Sequence, residues 1–139
     1  MSGHSKWATI KRKKGAADLV TQADIGSEKI ITEMIRSKFP DHSVLAEESG
    51  ASTHNPDFCW IIDPLDGTTN FAHQLGIFSV SIAFSYREKI MAGVVFNPVS
   101  GELFTSVTGK GAELNGRPIH VSRTATVSES LLVTGFPYN

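Results

Sequence analysis

The 139-residue sequence contains a single cysteine, Cys59, so it cannot form an internal disulfide. It also lacks any run approaching the ~20 apolar residues that a membrane-spanning helix requires. No apolar stretch follows the basic start, as it would in a secretory signal. These absences favour a reducing, cytoplasmic location. The net charge of −1 gives no reason to expect a nucleic acid or a membrane as the main partner.

Acidic residues are absent from the first 17 positions, which carry five basic side chains: Lys6, Lys11, Arg12, Lys13 and Lys14. The other 122 residues therefore carry a net charge of −6. Hydrophobic residues make up 40% of the chain and charged residues 19%, which is typical of a globular protein. A chain of this length can bury a sizeable core and form one domain.

Hydrophobic periodicity predicts a helix over about 24–39, which Pro40 ends, with Glu28 on its outer, solvent-facing side. A polar loop over 49–57 separates a short strand over 43–46 from a strand-like run over 58–62. Further strands are expected over 78–86, 90–96, 102–107, 112–114, 118–121 and 131–134. Neighbouring hairpins of this kind predict an antiparallel sheet with helices packed on it, an α+β fold.

The most informative segment begins at Asp63 and reads Asp-Pro-Leu-Asp-Gly-Thr-Thr. It places Asp63 and Asp66 on a turn directly after the apolar run, and sixteen positions after Glu47. A carboxylate at the end of an apolar strand is costly to bury unless it is paired or bound to metal. Asp63, Asp66, the Leu65 carbonyl between them and Glu47 from another strand end could share one ion. Such an all-oxygen set selects Mg²⁺, Mn²⁺ or Ca²⁺.

The residues that follow Asp66 suit an anion. Gly67 lets the backbone approach a ligand closely, and a short helix starting at Thr68 would direct its unpaired N–H groups toward that ligand. A phosphate bound there would bridge to the metal, and a metal-bound water would be the nucleophile. The Thr68 hydroxyl, with Asp24 or Glu48, would orient that water.

Each of these acids also has an ordinary structural interpretation. A Glu-Glu pair in a loop is usually solvated, and Asp-Pro and Asp-Gly are common turn dipeptides. Asp24 could be the N-cap of the helix that follows it. The functional interpretation therefore depends on the joint occurrence of these residues in one order and spacing.

Several segments carry a family resemblance: 18–21 with 23–24, 39–42, 47–50, 60–71, 93–95, 109–112 and 115–116. In this order, they resemble the inositol monophosphatase family of Mg²⁺-dependent, lithium-sensitive phosphatases, over about residues 13–139. The resemblance implies a layered αβαβα sandwich, of which this chain would be the N-terminal half. It also implies a small-molecule phosphate ester as substrate, either an inositol phosphate or a sugar phosphate.

The same resemblance implies a role for each site residue. Four residues would bind Mg²⁺: Glu47, Asp63, Asp66 and, through its carbonyl, Leu65. Three would activate the water: Asp24, Thr68 and Glu48. Four would contact the substrate: Glu47, Asp66, Gly67 and Thr68.

Two further expectations concern the ends of the chain. A basic segment over 1–13 would precede a phosphatase-like domain over 14–139 that lacks the family's C-terminal half, including a further metal-binding aspartate. Residues 1–18, with His-Ser-Lys-Trp and Ile-Lys-Arg-Lys-Lys-Gly, resemble the start of YebC-type regulators, which associate with nucleic acid.

The chain is thus interpreted as a Mg²⁺-dependent phosphomonoesterase. The alternative is a catalytically incomplete fusion or truncation product that binds nucleic acid weakly through its basic start. Apolar surface left uncovered would favour self-association, as a dimer.

Overall fold

The computed structural model describes residues 22–133, which contain two α-helices, eight strands and one 3₁₀ turn. The helices are α1 (Gln22–Lys38) and α2 (Thr68–Ala72). The strands are β1 (His42–Ala46), β2 (Gly50–Ser52), β3 (Asn55–Asp66), β4 (Ser79–Tyr86), β5 (Lys89–Asn97), β6 (Glu102–Val107), β7 (Gly111–Leu114) and β8 (Arg117–Ile119). Residues 22–120 belong to one compact unit, and residues 121–133, with the 3₁₀ turn at Val127–Glu129, belong to a second. The predicted basic segment over 1–13 lies outside the described residues.

The eight strands form one mixed sheet in the order β2-β1-β3-β4-β5-β6-β7-β8. Six of its seven described pairings are antiparallel, as the succession of hairpins predicts, and the α+β fold class is confirmed. The seventh pairing, β1 with β3, is parallel, so the sheet is mixed rather than purely antiparallel. The short strand β2 runs antiparallel to β1 along the outer edge of the sheet, so the chain reverses its direction. The chain reverses again before β3, which therefore runs parallel to β1 on the other side of that strand.

The boundaries differ from the sequence-based expectation in several places. Asp63 and Asp66, expected on a turn, both belong to β3, whose pairing with β4 is irregular between them. The strand expected over 118–121 is β8, which ends at Ile119. The polar loop expected over 49–57 contains β2 and the first residues of β3, because backbone pairing with β1 orders these residues despite their polarity. The strand expected over 131–134 is absent from residues 131–133, where Leu131 and Val133 are 95% and 92% exposed. No described strand pairs with them, and residue 134 lies outside the described residues.

The buried core lies where α1 packs on the first strands of the sheet. It consists of Ile35, Val44, Ala46 and Ile62, with Ile31, Trp60 and Ile82 packed against it. The inward face of α1 is not purely apolar, since its buried residues are Asp24, Glu28 and Ile35. The placement of Glu28 on the outer face is therefore wrong: its side chain lies four residues after Asp24, on the same face of the helix, and is only 5% exposed.

An aromatic cluster surrounds His42 at the start of β1. The His42 ring stacks on Phe39 and Phe58, with ring centroids 4.9 and 4.8 Å away, and its Nδ1 accepts a hydrogen bond from the Trp60 indole N–H at 3.0 Å. These contacts give His42 a structural role within the fold.

Large apolar side chains remain exposed on β5 and β6: Ile90, Met91, Val95, Phe96, Leu103, Phe104 and Val107. They lie on both faces of these strands, since neighbours such as Val95 and Phe96 point to opposite sides. Self-association as a dimer stays a prediction. Among residues 22–133, no helix is both long and apolar enough to cross a lipid bilayer.

Ile62→Ala should lower the free energy of unfolding by about 2–5 kcal/mol, because it removes a side chain with 0% exposure and leaves a cavity. Ile90→Ala is the matched control: Ile90 also lies in a strand but is 51% exposed, and its loss should cost less than about 1 kcal/mol. Urea unfolding measures both values. Equal losses in the two variants would contradict this location of the core.

Candidate functional site

The carboxyl end of β1 lies beside Ile62, near the carboxyl end of β3, because these two strands are parallel. Ala46 is opposite Ile62, and the Glu47 N–H donates a hydrogen bond to the Ile62 carbonyl at 3.2 Å. The next residue along β3 is Asp63, so Glu47 and Asp63 are neighbours across the two strands. The fold thus brings together two of the acids that the sequence analysis grouped.

The irregular end of β3, from Asp63 to Asp66, is held by short-range hydrogen bonds. The Leu65 N–H donates to Asp63 Oδ1 at 3.2 Å, and Thr68 Oγ1 donates to the Leu65 carbonyl at 3.0 Å. The pairing of β3 with β4 is irregular between Asp63 and Asp66. Pro64 accounts for part of this irregularity because it has no N–H to donate to the sheet. As a result, Pro64 and Leu65 are buried whereas Asp66 faces solvent.

Gly67 adopts a left-handed backbone conformation, with φ 91° and ψ 35°. A Cβ atom at this position would lie only 3.0 Å from the Ile77 carbonyl oxygen, so both the conformation and the space require glycine. Helix α2 begins immediately afterwards at Thr68, and no described side chain caps its first turn. These are the N–H groups that the sequence analysis assigned to the phosphate.

Asp63 has a strongly perturbed acidity. Burial is the main cause, followed by a hydrogen bond to Glu47 and by the negative charges of Glu47 and Asp66; together they raise the pKa of Asp63 from 3.8 to about 7. The Leu65 N–H opposes this shift. Asp63 therefore holds a proton for much of the time at neutral pH, and a cation would replace that proton.

These carboxylates do not stand open as a preformed cage. Within residues 22–133, no three His, Cys, Asp or Glu side chains are grouped so that they could hold a metal ion. Asp63 is instead hydrogen-bonded to Glu47, and Asp66 is turned toward solvent. The chemistry of the set nevertheless fits a hard divalent cation, because its like charges oppose one another and all of its donor atoms are oxygens.

Helix α1 contacts two acidic segments, residues 47–49 and residues 63–66, through consecutive side chains. The Glu28 carboxylate accepts hydrogen bonds from the Glu48 N–H at 2.8 Å and the Ser49 N–H at 3.0 Å. Ser27 Oγ donates to the Pro64 carbonyl at 3.4 Å. Sequence reasoning missed Glu28 and Ser27. The four-residue spacing between Asp24 and Glu28 is the signal that could have found Glu28, since it places two acids on one helical face.

The structure thus brings together Glu47 and Asp63, places Asp66 close enough for its charge to act on Asp63, and links the Thr68 hydroxyl to the Leu65 carbonyl. Asp24 is 2% exposed on the inward face of α1, and Glu48 is tied through its backbone to the same helix. The metal, water-activating and substrate-binding roles of these residues stay predictions.

The model of the inositol monophosphatase family matches residues 2–139. The chain therefore belongs to the inositol monophosphatase family, as its motifs predict. The resemblance of residues 1–18 to YebC-type regulators stays a prediction.

Individual relatives agree with this assignment. An inositol-1-monophosphatase from Synechocystis sp. is 54% identical over 132 residues, covering 94% of this chain and 46% of the relative. A protein named Nus factor SuhB, from Pasteurella multocida, is 45% identical over 126 residues, covering 90% and 47%. The solved inositol monophosphatase of Anabaena aligns with a TM-score of 0.72 at 44% identity, covering 85% of this chain and 46% of that one. The chain spans about half the length of the curated relatives it matches.

Asp63 should make the stability of the metal-free protein depend on pH. Its pKa of about 7 in the folded protein lies above the ordinary value of 3.8, so the folded state binds this proton more tightly than the unfolded state. Its contribution to stability is therefore fully present below pH 3.8 and is lost as the pH rises through 7.

Urea unfolding in EDTA from about pH 4 to about pH 8 measures this contribution as the difference in unfolding free energy between wild type and Asp63→Asn. The advantage of the wild type should shrink across that range. Asp57→Asn is the control, because Asp57 pairs with Arg87 at 3.1 Å on the surface. The same pH dependence in wild type and Asp63→Asn would show that Asp63 titrates normally.

Proposed function

We propose that this chain carries the metal-binding and phosphate-binding part of a Mg²⁺-dependent phosphomonoesterase that acts on an inositol or sugar phosphate. The hydrogen-bonded pair of Glu47 and Asp63 at the parallel β1–β3 pairing, with Asp66 three residues further along β3, is the observation that carries the proposal. Membership of the inositol monophosphatase family supports the same class of reaction.

Four groups would hold the ion: Glu47, Asp63, Asp66 and the Leu65 carbonyl. The Leu65 carbonyl accepts one hydrogen bond from Thr68 and has a second lone pair for a cation. Because Asp66 is exposed, its carboxylate is able to turn toward the pair formed by Glu47 and Asp63. When bound, Mg²⁺ supplies positive charge that offsets the carboxylates, polarises a phosphoryl group and acidifies water.

The Thr68 hydroxyl is suited to orient the attacking water. Its only hydrogen is directed at the Leu65 carbonyl, so any further hydrogen bond that it makes must be one it accepts. A water beside it would donate a hydrogen to Thr68 and direct an oxygen lone pair elsewhere. Asp24 or Glu48 would accept the second hydrogen and take the proton as the water oxygen bonds to phosphorus. The phosphorus–oxygen bond to the inositol or sugar would break in the same displacement, and the departing oxygen would take a proton from solvent.

The phosphate would lie against the backbone at Gly67 and Thr68. The left-handed Gly67 turns the chain so that α2 starts with unbonded N–H groups, which favour an anion. Asp66 directly precedes Gly67, and Glu47 lies beside Asp63 at the end of β1; both carboxylates would accept hydrogen bonds from ring hydroxyls of the substrate. This arrangement favours a polyhydroxylated phosphate ester.

Asp66→Asn should abolish Mg²⁺ binding, because it removes one of three carboxylates from an oxygen-ligand set. Isothermal titration calorimetry with MgCl₂ at neutral pH measures the effect. Asp57→Asn removes the same charge at a surface site and should bind Mg²⁺ like the wild type. Identical heats for the wild type and Asp66→Asn would refute the assignment of the metal ligands.

Thr68→Val should reduce Mg²⁺-dependent phosphate release from inositol 1-phosphate at least ~100-fold, because the water loses a positioned hydrogen-bond acceptor. Thr68→Ser keeps the hydroxyl and should retain most of the activity. Thr69→Val is the neighbouring control, since Thr69 is exposed. A colorimetric phosphate assay with and without lithium, at high protein concentration, gives the rates; equal rates for Thr68→Val and Thr69→Val would contradict the role of Thr68.

A second candidate function is a catalytically incomplete fusion or truncation product that acts as a binding module. The relatives named Nus factor SuhB favour it, as do the five basic residues among the first 17. Phosphate release is the discriminating measurement. No release, combined with retention on RNA that weakens with salt and is lost when residues 1–14 are deleted, would favour this candidate over the enzyme.

A further inference from the structure

The turn between β1 and β2, residues 47–49, is held from two sides through three successive backbone N–H groups. The Glu47 N–H donates to the Ile62 carbonyl of β3 at 3.2 Å. The Glu48 and Ser49 N–H groups donate to the two oxygens of Glu28, at 2.8 and 3.0 Å. One neighbouring strand and one buried carboxylate from α1 therefore fix the backbone that carries Glu47.

We propose that Glu28 is a positioning residue for the acidic site: its carboxylate fixes the 47–49 turn so that Glu47 stays directed at Asp63. This inference rests on the proposed function, because it gives Glu28 a purpose only if Glu47 is a ligand of Mg²⁺. Glu28 does not touch the ion or the substrate in this account. It acts through the backbone of Glu48 and Ser49.

Burial makes the contact specific to a carboxylate. Glu28 is 5% exposed, so its oxygens have little access to water and depend on the two N–H donors. Hydrogen bonds from N–H groups to an ionised carboxylate are shorter and stronger than those between neutral groups. A glutamine of the same size offers one acceptor oxygen and an amide that can only donate, so it leaves one of the two N–H groups without an acceptor.

The adjacent Ser27 extends this link to the second acidic segment, residues 63–66. Its hydroxyl donates at 3.4 Å to the carbonyl of Pro64, the residue that follows Asp63. Ser27 and Glu28, which are adjacent in α1, thus contact the backbone of both acidic segments. Residues that orient metal ligands in this indirect way commonly change metal affinity by 10–100-fold when they are substituted.

Glu28→Gln in the whole chain should weaken Mg²⁺ binding about 10-fold, as measured by calorimetry with MgCl₂ well below the melting temperature. It should also accelerate amide hydrogen exchange at Glu48 and Ser49, which nuclear magnetic resonance detects without metal. Glu33→Gln is the charge control, because Glu33 lies on the same helix with a side chain 65% exposed. Ile35→Val is the stability control, since it disturbs a core residue without touching the turn.

The outcomes separate this inference from the function on which it rests. Weaker Mg²⁺ binding in Glu28→Gln, with both controls unchanged, supports the positioning role. Wild-type affinity in Glu28→Gln overturns that role and leaves the proposed function standing, as does an equal loss of affinity in Ile35→Val. Absence of Mg²⁺ binding by the wild type overturns the proposed function and this role together.

Discussion

The parallel pairing of β1 with β3 is the constraint on which the rest of the site depends. Two strands that run in the same direction end at the same edge of a sheet, and the alignment of Ala46 with Ile62 makes their next residues neighbours. Had β3 paired with β1 in the opposite sense, Glu47 and Asp63 would lie at opposite ends of the pair. The hairpin through β2 produces the parallel arrangement, because it returns the chain before β3 begins.

The parallel pairing also has an electrostatic consequence, because it places acidic side chains close together. Burial is the main cause of the raised pKa of Asp63, and repulsion among the neighbouring carboxylates of Glu47, Asp63 and Asp66 is a further cause. The fold tolerates it through hydrogen bonds to backbone N–H groups, those of Glu48 and Ser49 to Glu28 and that of Leu65 to Asp63. In the function proposed above, a divalent cation would relieve the same repulsion more completely.

Local patterns in the sequence predict much of this structure. Alternating apolar residues locate β4 and β5, Asn115-Gly116 locates the β7–β8 hairpin, and the requirement for glycine at position 67 follows from the turn and helix start after Asp66. Motif order predicts the family. What the sequence does not predict comes from long-range pairing: β2 is ordered by β1, the β1–β3 pair is parallel, and Glu28 is buried by a turn twenty residues away. Residues 131–133 show the opposite effect of long-range pairing. This apolar run predicts a strand, but it forms none, and no described strand pairs with it.

In the proposed function, acidic residues from the two separate segments 47–49 and 63–66 share one cation. The most direct test of this shared site is anomalous diffraction from crystals of the protein soaked in Mn²⁺, which binds the same oxygen ligands as Mg²⁺ and can be located by its own scattering. The account predicts a peak bonded to the carboxylates of Glu47, Asp63 and Asp66 and to the Leu65 carbonyl. A fully soaked crystal with no peak at that edge of the sheet, or with manganese bound only elsewhere, would contradict it.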